Sequence, residues 1–251
     1  MGFTIAVAGK GGVGKTTTSA LIIQWLVAKG ETPVLAVDAD SNANLHEALG
    51  INYSATVGGI REDARDKAKE MAGIAKQEFL DMQVQEALVE ENGYDLIVMG
   101  RPEGQGCYCF ANNVLRDIIK KLSGNYKHVV VDSEAGLEHL SRRTLLSVDY
   151  LFVVSDCTVR GVRTARRAAE LAAEMGTPVK HCGLIVNRVP DGVLPPAMVE
   201  EIEATGLPLF AVVPMDSNVA AMDAGGMAVG DIPADAPARL AVNELMEELF
   251  K

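Results

Sequence analysis

The chain has 251 residues, 48% of them hydrophobic and 5% aromatic, with a formal net charge of −11 from 34 acidic and 23 basic side chains. That length fits one large α/β domain with a buried core, and the acidic balance argues against a nucleic-acid backbone as ligand, which needs clustered Lys and Arg. No apolar run approaches the ~20 residues of a membrane span, Phe3–Ala8 is too short for a signal peptide, and the four cysteines fit a reducing cytoplasm.

Phe3–Ala8 reads as a strand that runs straight into Gly9-Lys10-Gly11-Gly12-Val13-Gly14-Lys15-Thr16, with Thr17 and Thr18 behind, and Thr16–Lys29 reads as a helix ended by Gly30. A strand before and a helix after are the context that makes G-x-x-x-x-G-K-[ST] a phosphate-binding loop. Gly11, Gly12, Val13 and Gly14 turn backbone N–H groups toward a polyphosphate, and the helix N-terminus adds partial positive charge. Lys15 reaches the β- and γ-phosphates and the Thr16 hydroxyl ligates Mg²⁺. Lys10 is surplus to that minimal motif.

Pro33–Val37 is a second strand, followed by Asp38-Ala39-Asp40. On extended backbone, positions i and i+2 face the same way, so both carboxylates are expected to face the phosphates. Asp40 would hold the attacking water and Asp38 would support the Mg²⁺ shell; a pair of exposed helix-capping acids is the competing reading. Residues 51–93 are polar and helix-leaning and read as an insertion. Asp95–Met99 is a strand, followed by a Gly-rich loop and a helix over Asn112–Leu122.

In that loop, Cys107-Tyr108-Cys109 places two thiols on one side of an extended backbone. Zinc and other soft metals usually take about four ligands, which a symmetric dimer would supply by bringing a second Cys-x-Cys across its axis. Two half-buried small residues or a reversible dithiol are the competing readings.

Lys127–Val131 is a strand ending at Asp132, the expected Mg²⁺-side acid, and Gly136 in the following loop is placed to sense the γ-phosphate through its N–H. Tyr150–Ser155, Gly183–Asn187 and Phe210–Val213 complete the strands, with helices near Val162–Met175, Ala197–Thr205 and Ala236–Phe250. Asn187 offers an amide to a purine edge. With no Asn-Lys-x-Asp guanine signature present, adenine is favoured. Pro214 and Asp216 offer backbone contacts to the same base, against the plainer reading of turn residues. Short apolar strands alternating with helices predict an α/β fold: a mostly parallel central sheet flanked by helices on both faces, in one domain over 1–251. Ligands collect at the carboxyl ends of such strands.

The loop GKGGVGKT, with its extra Lys10, resembles the deviant phosphate loop of the MinD/ParA/nitrogenase-iron-protein group of dimeric ATPases. DADSNANL and VVVDSEAGLEHLSRRT resemble its two switch segments. GRPEGQGCYCFANNVLR and SDCTVRGVRTA narrow the resemblance to the CooC/AcsF branch, the maturation ATPases that supply nickel to carbon monoxide dehydrogenase or acetyl-CoA synthase. The resemblance implies ATP/ADP and Mg²⁺, a homodimer and a nickel enzyme as client. It implies that Lys10 crosses to the partner's phosphates, that Gly11–Thr17 form the cradle and that Lys15 and Asp40 serve hydrolysis. Asp132 would stand on the Mg²⁺ side, Asn187 would read adenine, and Cys107 and Cys109 would form an interfacial Ni²⁺ (or Zn²⁺) site. In the nitrogenase iron protein the cluster cysteines lie on separate loops; the adjacent pair here departs from that pattern and counts against an iron–sulfur electron carrier. Membrane-cycling relatives carry a basic amphipathic C-terminal helix, whereas the acids of Asn243–Lys251 would be repelled by anionic lipid. Neither nucleic acid nor membrane is therefore the expected partner; the alternative classes are a ParA/MinD-type positioning ATPase, which would need one of them and a basic surface to bind it, and an iron–sulfur electron carrier.

Overall fold

The computed structural model describes residues 2–59, 84–101, 108–134, 147–174, 176 and 178–251. Among them are strands β1 (Thr4–Gly9), β2 (Val34–Ala39), β3 (Val89–Glu90), β4 (Tyr94–Val98), β5 (His128–Ser133), β6 (Val148–Asp156), β7 (Val179–Val189) and β8 (Leu209–Pro214). The helices are α1 (Lys15–Ala28), α2 (Leu45–Leu49), α3 (Tyr108–Leu122), α4 (Val159–Glu174), α5 (Pro196–Thr205), α6 (Ser217–Gly225) and α7 (Pro237–Leu249). The strands form one sheet in the order β3-β4-β2-β5-β1-β6-β7-β8. Every neighbouring pair is parallel except β3–β4 at one edge.

Strand side chains alternate between the two faces, so all-apolar strands are what a sheet covered on both faces requires. Ile5 and Val7 of β1, with Val34 and Ala36 of β2, belong to the core under α1 and α7. Ala6 and Ala8, with Leu35 and Val37, belong to the opposite core, which takes Leu115 and Ile118 from α3, Val162 and Ala165 from α4 and Met198 from α5. Helix α1 is apolar nearly all round because the sheet lies on one side and α7 on the other. Val242, Leu245 and Met246 of α7 are buried in that core. The Phe250 ring then stands edge-on to Phe3 at 5.2 Å and tilts against Trp25 at 5.0 Å.

Four elements differ from the sequence expectation. Helices α2 and α6 were not foreseen; both are short and lack a long apolar period. The stretch expected as a helical insertion contributes β3, a two-residue antiparallel edge strand, while residues 60–83 lie outside the described set. Helix α3 begins at Tyr108 rather than Asn112, so the backbone of Cys109 is in a first helical turn and not extended. The same-side argument for the two thiols therefore fails at Cys109, and Cys107 lies outside the described residues.

Candidate nucleotide site

The chain leaves β1 for β2 and later inserts β5 between them, so the carboxyl ends of β1, β2 and β5 meet at a point where the strand order reverses. Across β2 and β5, Asp38 and Asp132 are register partners, and Val7 of β1 pairs with Asp132 from the other side. The phosphate loop, Asp38-Ala39-Asp40 and Asp132 are thereby brought together, as the sequence predicts.

Gly14 caps α1 with φ +95°. A Cβ placed there would lie 2.2 Å from the Asn187 amide nitrogen, so the loop is packed hard against the end of β7. The Asn187 Nδ2 donates to the Val13 carbonyl at 2.8 Å, and its Oδ1 accepts from Arg188 N at 2.8 Å. An amide has two N–H groups and an oxygen with two lone pairs, so one donor and one acceptor position remain for a base edge. Lys15 is 7% exposed, and its Nζ donates to the Lys10 carbonyl at 3.3 Å inside the loop. The Lys10 side chain, by contrast, is exposed and bonds to none of the described residues. The two lysines of one loop are thus set up differently: one is turned in and the other out.

Thr16 Oγ1 donates to Asp132 Oδ2 at 2.7 Å and Ser19 Oγ to Oδ1 at 3.2 Å. Ser19 was missed by sequence reasoning, although its i+3 spacing from Thr16 puts both hydroxyls on one helix face. Burial pushes the Asp132 carboxyl up to about 6, against the hydroxyl of Thr16, the charge of Lys15 and the hydroxyl of Ser19. A hydroxyl and a carboxylate on adjoining elements are hard oxygen donors, the set Mg²⁺ takes when phosphates and water complete its shell.

Asp38 and Asp40 do not form a like-facing pair. The chain turns at Asp40, which leaves Asp38 fully buried inside β2. Its Oδ1 accepts from Asp40 N at 3.0 Å and its Oδ2 from Leu45 N at 2.8 Å, so its carboxylate anchors the intervening loop rather than lining open space. Burial first, and then the neighbouring Asp132 charge, raise its pKa to about 7. An acid whose native pKa exceeds its unfolded value holds a proton only when folded, so its contribution to stability is full at low pH and is lost as pH rises toward the native pKa. Between about pH 4 and 7 the nucleotide-free protein is expected to lose stability relative to Asp38→Asn, by up to about 1.4 kcal/mol per pH unit. Urea unfolding of both proteins at several pH values checks this; parallel pH profiles would contradict it.

A cavity of about 210 Å³ opens beside the loop, lined by Gly14, Thr17, Asn187, Pro214, Met215 and Asp216 among others. Asp216 itself caps α6 and tethers α7: Oδ1 accepts from Asn218 N at 2.8 Å and Oδ2 from Ala238 N at 3.0 Å. Burial pushes its pKa up, but the Ala238 and Asn218 donors outweigh it and the net shift is downward. A second, wider cavity of about 630 Å³ lies on the other side of Thr17, between Thr16, Asn44, Glu47, Asp223 and Met227. Gly136 and Cys107 lie outside the described residues, as does the side chain of Cys109.

Sequence reasoning also missed how the loop after β2 is held. Asp40 Oδ1 accepts from Asn42 N at 2.8 Å, Ser41 Oγ donates to Glu134 Oε1 at 3.2 Å, and Arg101 Nη2 donates to Asn42 Oδ1 at 2.8 Å. The Asp40–Asn42 contact is a local Asx turn, but the partners of Ser41 and Asn42 are too far away in sequence for any local pattern to signal them. Among the described residues, no helix is long and apolar enough to cross a membrane.

The model of the CobQ/CobB/MinD/ParA nucleotide binding domain matches residues 4–229. An uncharacterized ATP-binding protein of Methanocaldococcus jannaschii is 41% identical over 253 residues, covering 98% of each chain. The carbon monoxide dehydrogenase accessory protein CooC of Rhodospirillum rubrum is 31% identical over 246 residues, covering 91% of this chain and 89% of that protein. Among solved structures, the cell division ATPase MinD of Pyrococcus furiosus superposes with a TM-score of 0.74 at 25% identity, over 100% of this chain and 99% of that one. The chain belongs to the CobQ/CobB/MinD/ParA family of nucleotide-binding domains.

Proposed function

We propose that this protein is a Mg²⁺-dependent ATPase that dimerises with nucleotide, carries nickel at Cys107 and Cys109, and assists nickel insertion into carbon monoxide dehydrogenase or acetyl-CoA synthase. The observation that carries the reading is the outward Lys10 beside the buried Lys15. Lys15 suffices for the chain's own nucleotide, and an exposed lysine in the same loop is placed for a nucleotide held by a second copy. The similarity to the carbon monoxide dehydrogenase accessory protein CooC over most of both chains supports the client part.

In this reading the loop N–H groups and Lys15 hold the β- and γ-phosphates, and Asn187 takes the adenine edge in the cavity bounded by Pro214. Thr16 and Asp132 would hold Mg²⁺, which when bound supplies positive charge to the phosphate oxygens. Asp40 orients a water molecule, whose oxygen bonds to the γ-phosphorus as the bond to the β-γ bridging oxygen breaks, giving ADP and inorganic phosphate. Lys10 of each chain meets the developing charge on the other's phosphates, so turnover needs both copies. Closure brings the two Cys-x-Cys pairs together, and loss of the γ-phosphate weakens closure and frees the nickel for the client. ATP can drive that cycle only if it binds the closed dimer more tightly than the open state.

Lys10→Ala is expected to keep the fold and ADP affinity while losing ATP-driven dimerisation and most of the hydrolysis rate. Sedimentation velocity with a non-hydrolysable ATP analogue, alongside phosphate release, checks it; a monomeric Lys10→Ala variant with parental turnover would contradict the dimer. The second reading, a positioning ATPase, takes support from the MinD fold match. Against a membrane form of it stands the apolar face of α7, whose Val242, Leu245 and Met246 are already buried on α1 and the sheet.

A further inference from the structure

We propose that Arg101 is a positioning residue for ATP hydrolysis, holding the Asp40 carboxylate in place through Asn42. The inference rests on Asp40 as the group that orients the water.

The loop from Asp40 to Asn44 is pinned at its two ends by one side chain, Asp38, through Asp40 N and Leu45 N. Between the pins the backbone is strained: Ala43 has φ +55° and is buried. A residue with a Cβ keeps that left-handed conformation only where its surroundings over-determine it. Within the loop, one Asp40 carboxylate oxygen is fixed by Asn42 N at 2.8 Å, while the other accepts from none of the described residues. The orientation of that second oxygen therefore follows the orientation of Asn42.

Asn42 is exposed, and what holds its side chain is the Arg101 guanidinium, 2.8 Å from Oδ1. Arg101 is well placed to act as a fixed post. Immediately before it, Met99 N donates to the Asp38 carbonyl and Gly58 N donates to the Met99 carbonyl, each at 2.8 Å. Gly100 has φ +62°, and a Cβ there would lie 2.6 Å from Thr56, so the turn leading into Arg101 is packed tightly. A guanidinium donor also makes a stronger bond than a neutral one. Arg101 thus spans from the end of β4 to the apex of the loop carrying Asp40 and bonds Asn42, not the phosphate loop. Its influence on hydrolysis runs through Asp40.

The test is steady-state ATP hydrolysis by the parent, Arg101→Ala, Arg101→Lys, Asp40→Asn and the Arg101→Ala/Asp40→Asn double variant, with ADP affinity measured for each. Because displacing a reacting group by ~1 Å costs up to ~100-fold, Arg101→Ala is expected to lower kcat by about ten-fold with KM and ADP affinity little changed. Arg101→Lys, which keeps one charged donor, should recover most of the loss. In the Asp40→Asn background Arg101→Ala should have no further effect, because no carboxylate remains to be positioned. Parental kcat in Arg101→Ala, or an equal further loss in the double variant, would overturn the proposal. If Asp40→Asn itself hydrolyses ATP normally, the assignment of Asp40 falls and the role of Arg101 falls with it.

Discussion

Gly14→Ala is expected to abolish nucleotide binding, lowering ADP affinity by more than about 100-fold, while Gly12→Ala loses far less. The two glycines sit in one loop and both have positive φ, +95° at Gly14 and +75° at Gly12. A Cβ at Gly12 would meet nothing within 4 Å, so that substitution meets only the left-handed strain of an L residue, roughly 1–2 kcal/mol. A Cβ at Gly14 would lie 2.2 Å from the Asn187 nitrogen, far inside any tolerable contact. Either the loop moves away from β7 or Asn187 is expelled. Expulsion would break its bond to the Val13 carbonyl and remove the amide from the cavity proposed for the base, so phosphate and base contacts would fail together. Isothermal titration with ADP, beside thermal unfolding to confirm a folded apoprotein, separates the two variants. Equal affinity in Gly12→Ala and Gly14→Ala would mean that the packing of the loop on Asn187 does not matter.

The parts of this arrangement that could be read from the sequence are those whose causes are local. Val129-Val130-Val131 before Asp132, or Val34–Val37 before Asp38, can hardly be anything but buried strands, and a glycine-rich loop between a strand and a helix has few other uses. The rest depends on where elements end or on what a distant residue does. The i, i+2 rule made Asp38 and Asp40 look equivalent because it assumes a continuing strand, whereas the chain turns at Asp40 and turns one carboxylate into an internal anchor. The same assumption placed Cys109 on extended backbone, and the earlier start of α3 overturned it. Helix α6 is too short to announce itself by period, and its start is set by Asp216, a residue that sequence reasoning had offered to the base. Arg101 and Asn42 are 59 positions apart, and only the adjacency of β2 and β4 in the sheet makes them neighbours.

Replacing Cys107 and Cys109 together with serine is expected to remove nickel binding outright while leaving ATP binding intact. A two-thiol pair is half of the four-ligand set that a soft divalent metal usually takes, so one chain alone would hold nickel weakly. A second copy related by a two-fold axis doubles the thiolates, and the outward Lys10 is the feature that would make nucleotide the condition for that pairing. Serine hydroxyls stay protonated at neutral pH and are harder donors, so the double variant cannot substitute for the thiolates. The deciding measurement is nickel content after equilibrium dialysis with Mg²⁺ and a non-hydrolysable ATP analogue, for the parent and for Cys107→Ser/Cys109→Ser. About one nickel per two chains is expected in the parent and none in the variant; equal nickel in both would rule out a metal site shared between the two Cys-x-Cys pairs.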